Sequence, residues 1–111
     1  MEIRVKDLLS EGFSLIAGEK GLEREIKGVY ICDLLSWVMS HAKPNDAWIT
    51  IQSHINVIAV ALLSEISCVI LPENLKLDED ARKKADEEGV PVLSFMGTSY
   101  EAAVKLYEMM K

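Results

Sequence analysis

The chain has 111 residues, half of them apolar, and its 12 Lys and Arg against 18 Asp and Glu leave a formal charge of −6. That composition excludes a disordered chain, and a domain of this length buries about two thirds of its unfolded surface without needing a disulfide or a metal. The acidic balance argues against a nucleic-acid module, whose footprint is basic, and against docking on anionic lipid.

The longest apolar stretch, Ile55 to Leu63, is interrupted by Asn56 and is too short to span a bilayer. Met1-Glu2-Ile3-Arg4 does not open a secretory signal. Two cysteines, Cys32 and Cys68, are too few for a disulfide scaffold. The expectation is one cytoplasmic domain over residues 1–111.

Val5 to Leu9 reads as a short helix ended by Gly12, and Phe13 to Ala17 as a strand. Gly18 to Gly28 holds three glycines among charged residues and reads as a surface connection. Val29 to Cys32 is a continuous apolar run, which suits a strand covered on both faces. Asp33 is placed to cap a helix from Leu34 to His41, and Lys43-Pro44-Asn45-Asp46 turns the chain. Ala47 to Ile51 is a strand. A helix follows from Ile55 to Ser64 or Ile66, with Ile58, Leu62 and Ile66 on one face. Cys68 to Leu71 is a strand closed by Pro72. A polar helix runs from Asp78 to Glu88 and stops at Gly89. Val90 to Phe95 is the last strand, Pro91 marking an edge or a strand start. Gly97-Thr98-Ser99 caps a final helix, Tyr100 to Met109.

Four strand-then-helix units from Val29 onward predict an α/β fold: a mostly parallel sheet of about five strands with helices on both faces. The strand at Phe13 lacks a helical crossover and is expected to pair differently from the rest.

The chain lacks a Walker-type glycine loop, a G-x-G-x-x-G turn, a G-x-S-x-G elbow and any Cys-x-x-Cys or His-x-x-x-His pair. No catalytic residue, metal ligand or cofactor is therefore assigned. The cysteines and both tryptophans, Trp37 and Trp48, read as packing residues. One constellation stands out. Ligands of parallel sheets bind beyond the carboxyl ends of the strands. The residues expected there are Asp33, then Thr50, Gln52, Ser53 and His54, then Pro72, Glu73 and Asn74, then Gly97, Thr98 and Ser99. Helix N-termini at these positions offer free N–H groups to an anion or phosphate. The same residue types also serve as plain caps.

Leu15-Ile16-Ala17-Gly18-Glu19-Lys20-Gly21-Leu22-Glu23-Arg24-Glu25-Ile26 resembles the opening of the HPr kinase/phosphorylase N-terminal domain, and its Gly-Leu-x-Arg-x-Ile turn is similar to one in some purine-catabolism regulators. Asp46-Ala47-Trp48-Ile49-Thr50-Ile51 with its following helix, and Gly89-Val90-Pro91-Val92-Leu93-Ser94, resemble the DRTGG domain found beside CBS pairs. The resemblance implies a regulatory or ligand-sensing α/β module without catalytic machinery. The five-residue name motif is absent, and the loop expected to read Thr-Gly-Gly reads Leu71-Pro72-Glu73-Asn74, whose acid repels phosphate.

Two functions follow. The first is a sensor of an anionic metabolite or nucleotide at Asp33, Thr50, Gln52, Ser53, His54, Gly97, Thr98 and Ser99. The alternative is a protein-interaction or homodimerisation module without a small-molecule ligand, presenting Trp37, Val38 and Met39 on one helix and Leu106, Met109 and Met110 on the last.

Overall fold

A computed structural model describes residues 2–111. The chain opens with strand β1 (Ile3–Arg4), a 3-10 helix (Val5–Ser10), and strand β2 (Phe13–Ala17). A short 3-10 turn (Glu19–Gly21) leads to β3 (Glu25–Ile26) and β4 (Gly28–Ile31). Helix α1 (Leu35–His41), strand β5 (Asp46–Ile49), helix α2 (Ile55–Leu63), strand β6 (Cys68–Leu71), helix α3 (Glu79–Glu88), strand β7 (Val92–Phe95) and helix α4 (Ser99–Met110) complete it.

The main sheet has the order β2-β7-β6-β5-β4, and β1 pairs with β3 in a separate two-stranded ribbon. Strands β4, β5, β6 and β7 are parallel neighbours in chain order. β2 joins antiparallel at the β7 side, with a register shift between Leu15 and Ala17. The expected mostly parallel sheet and its exceptional first strand are both observed. Antiparallel edge strands on parallel sheets are common because they need no crossover helix.

The helices cover both faces. On one face α1, α2 and α3 bury Val38, Val57, Ile58, Ala61, Ala81 and Ala85 against Trp48, Val69, Leu71 and Val92. On the other, Val5 and Leu8 of the 3-10 helix and Ala102 and Leu106 of α4 pack on Ala47, Ile49, Ile70 and Leu93. Every residue of β5 and β6 is buried: β6 is an unbroken apolar run, and β5 runs from Asp46, whose carboxylate accepts the Lys43 N–H, into apolar Ala47 to Ile49.

Three expectations change. Val29 to Cys32 was read as a strand covered on both faces, yet β4 is the sheet edge and is only partly covered. At an edge the covering helices overhang a strand only in part, so an apolar run there stays partly exposed, Ile31 most of all. Gly18 to Gly28 is not a bare surface connection. Ile26 pairs with Ile3, and the N–H groups of Val5 and Lys6 donate to the carbonyls of Arg24 and Leu22, so the Gly-Leu-x-Arg-x-Ile turn anchors the N-terminal segment. Finally, α2 ends at Leu63, Leu62 is exposed, and Ile66 is buried beyond the helix.

Two glycines of that turn are fixed by close approach. Gly18 has φ +81°, and a Cβ there would lie 1.9 Å from the Val90 carbonyl oxygen; one at Gly21 would lie 2.3 Å from the Gly89 oxygen. No L side chain fits either place without moving backbone. Gly18→Ala is expected to lower unfolding free energy by more than about 2 kcal/mol, read from urea denaturation; a change within the scatter of surface substitutions would contradict this packing.

Candidate ligand site at the carboxyl rim of the sheet

Because β4 to β7 run parallel, the loops that leave their carboxyl ends share one rim. The sequence-assigned residues stand there in the order Asp33, Thr50 to His54, Asn74, Gly97 to Ser99. Neighbouring strands are about 4.8 Å apart, so the β4 and β7 ends are separated by roughly 14 Å. The rim therefore has two parts rather than one pocket.

The first part joins β4 to β5. The Thr50 hydroxyl donates to Asp33 Oδ1 at 2.8 Å, and the Ile51 N–H donates to the same oxygen at 2.9 Å. The Gln52 N–H donates to Thr50 Oγ1 at 3.2 Å, while Gln52 Nε2 donates to the Asp33 carbonyl at 3.0 Å. Gln52 Oε1 lies 3.1 Å from His54 Nε2. The Trp48 indole N–H adds a tie to the Cys32 carbonyl at 2.8 Å. Thr50 is buried, whereas Asp33 is exposed and its Oδ2 has no donor among the described residues.

Asp33 thus does not cap α1, as its position before the helix suggested. Leu34 occupies the cap position, and no side chain caps that helix. The carboxylate instead turns across to β5, where it gathers two donors at one oxygen, a stronger arrangement than a single cap. His54 holds the cap position of α2 without a side-chain hydrogen bond, so the first turn of α2 has no side-chain acceptor. The Ser53 carbonyl accepts the Asp78 N–H at 3.0 Å, tying this loop to the start of α3. Asp78 occupies its expected cap position, but its side chain makes no cap bond.

The second part is different in kind. Thr98 Oγ1 accepts the Glu101 N–H at 3.2 Å, and Glu101 Oε1 accepts the Thr98 N–H at 2.9 Å. This reciprocal box puts a carboxylate on the first turn of α4. A Cβ on Gly97 would lie 2.6 Å from the same Oε1. Gly97, Thr98 and Ser99 therefore stand at the rim as a cap, with Glu101 where an anion would sit. Glu101 escaped the sequence reading, although Thr98-x-x-Glu101 is the spacing that signals it.

Between the two parts, the Glu73 and Asn74 N–H groups donate to the carbonyls of Gly97 and Phe95 at 2.8 and 2.9 Å. Glu73 and Asn74 both have φ of 57°. They lie in the Leu71 to Asn74 loop that the family resemblance expects to be Thr-Gly-Gly-like, and left-handed backbone is the conformation that glycine adopts most readily. Beyond this turn, Asn74, Lys76, Arg82 and Ser94 help line a cleft of about 310 Å³. Lys76 and Arg82 enter no ion pair among the described residues.

The model of the DRTGG domain matches residues 11–109. The chain belongs to the DRTGG domain family. A crystal structure of the CBS and DRTGG domains of the regulatory region of Clostridium perfringens pyrophosphatase, complexed with the activator diadenosine tetraphosphate, is similar to this DRTGG chain. The TM-score is 0.68 at 14% identity, over 90% of this chain and 43% of that one. The likeness is one of fold, and the chain spans under half the length of that neighbour. No curated protein matches the sequence.

The cysteines occupy different surroundings. Cys68 is fully buried in β6, and that burial pushes its thiol up to about 12, only partly offset by Arg24. Cys32 is half-buried, its Sγ 3.8 Å from the Leu34 carbonyl. In native protein at mildly alkaline pH, a disulfide reagent is expected to modify one thiol per chain, rising to two in denaturant. Two reactive thiols in the folded state would contradict the packing of β6. At the rim, Glu73→Gly is expected to raise stability by about 1 kcal/mol by relieving the left-handed backbone, measured by thermal unfolding.

Proposed function

We propose that this chain is a non-catalytic regulatory module that senses an anionic metabolite, most specifically a nucleotide, at the β4–β5 part of the rim. The observation that carries the reading is the pairing of opposite needs in one place. The first turn of α2 offers backbone N–H groups without a side-chain acceptor, beside Ser53 and His54. A step away, Asp33 Oδ2 offers an acceptor without a donor. A simple inorganic anion satisfies only the first. A nucleotide carries phosphate for the helix N-terminus and hydroxyl or amino donors for the carboxylate.

Family membership supports the regulatory role, and the related regulatory region bound to diadenosine tetraphosphate supports the ligand class. The site narrows to Asp33, Thr50, Gln52, Ser53 and His54. Gly97, Thr98 and Ser99 drop out, because Glu101 already occupies their helix terminus.

Titration of labelled protein with ATP, a dinucleoside polyphosphate and inorganic phosphate tests this. Amides of Ser53, His54 and Ile55 are expected to shift with the nucleotides, while Thr98 stays still. Ligand at a hundred times its dissociation constant adds about 2.7 kcal/mol of stability, a rise of several degrees in Tm. His54→Ala is expected to weaken binding roughly tenfold. Failure of every nucleotide to move the Ser53 and His54 amides overturns the reading.

A further inference from the structure

The second sequence-level alternative placed a contact surface on Trp37, Val38, Met39, Leu106, Met109 and Met110. The structure does not leave that surface available as drawn. Val38 and Leu106 are fully buried core residues, and Met109 and Met110 pack against the core. Trp37 and Met39 of that surface stay half exposed on α1, and a second exposed apolar surface lies along the open edge of the sheet.

The two sheet edges are unlike each other. The β2 edge carries a register shift, a device that blunts pairing. The β4 edge runs in regular register with β5 over Gly28 to Ile31 and has neither bulge nor proline. Beside it lies a cavity of about 530 Å³, lined by Val29 and Ile31 of β4 and Tyr100, Val104, Tyr107 and Met110 of α4. Tyr100 is 76%, Tyr107 63% and Ile31 51% exposed. This is an unpaired strand with an apolar wall beside it.

The sequence of the edge says what fits. Val29-Tyr30-Ile31 is complementary to itself when reversed about Tyr30. In an antiparallel pair centred there, Val29 faces Ile31 twice, and Tyr30 faces Tyr30. β-Branched pairs and aromatic pairs across strands are each favourable. The helices agree with this geometry. α4 lies over β4 and β5. Two copies of α4 then stand about two strand spacings apart, roughly 10 Å, which is a normal helix-packing distance.

We propose that the occupant of this edge is a second copy of the chain. β4 pairs antiparallel with β4 about a two-fold axis through Tyr30, joining two five-stranded sheets into one, with Tyr100 and Tyr107 of both copies packed over the seam. The surface is isologous, as a two-fold dimer requires. The proposal does not depend on the nucleotide reading and is tested without ligand.

Sedimentation equilibrium is expected to give a mass about twice 12.4 kDa. Ile31→Asp and Tyr107→Asp, both at exposed positions, are expected to weaken association at least roughly tenfold, with far-UV circular dichroism unchanged. Tyr30→Cys with Cys32→Ser fixes the register: residues facing across antiparallel strands are within disulfide reach, so oxidation is expected to yield a covalent dimer. Ser14→Cys, on the opposite sheet edge, is expected not to cross-link. A monomer at sub-millimolar concentration overturns the proposal. So does a dimer indifferent to both aspartates, or one that cross-links at residue 14 and not at residue 30.

Discussion

Four parallel strands laid side by side in chain order are the constraint on which the structure rests. β5 and β6 are buried on both faces, so every polar group there must find a partner, as the Asp46 carboxylate does in the Lys43 N–H. Once they are fixed, each following loop must leave at the same rim, and each helix must return across a face. The polar residues of the chain are thereby collected at strand ends, where water or local donors satisfy them. Thr50 is the clearest case: it is buried at the end of β5, and its hydroxyl is satisfied by the carboxylate that follows β4.

Asp33 holds the β4 and β5 loops together through one oxygen and leaves the other outward. A carboxylate beside the phosphate position we propose looks like a contradiction. It is resolved if the ligand also brings donors, as a nucleoside does. The Glu101 box on α4 works the opposite way. It fills a helix terminus with the chain's own negative charge, whereas the first turn of α2 has no side-chain cap.

Much of this was legible in the residues, and the exceptions have physical causes. Phe13–Ala17 and Cys68–Leu71 are the strands that the apolar runs predicted, and Thr98 is the cap that its residue type suggested. Local propensity and capping act over a few residues, so sequence reports them well. Strand order is decided by long-range burial, and nothing within Val29 to Cys32 says that β4 lies at the edge. Asp33 looked like a cap because caps and strand-bridging carboxylates use the same residue type; only the placement of Thr50 and the Ile51 N–H separates the two. Helix stripes misled in the same way. Val38 and Leu106 share helices with exposed neighbours, and only the sheet beneath tells which side is buried.

The account turns on whether the β4–β5 rim receives a ligand. A crystal structure grown with a dinucleoside polyphosphate tests that most directly. The account predicts a phosphate group at the first turn of α2, beside Ser53 and His54, with a hydroxyl or amino group of the ligand donating to Asp33. Well-ordered ligand at the α4 terminus with Glu101 displaced, or crystals at saturating ligand with water alone at Ser53 and His54, would contradict it.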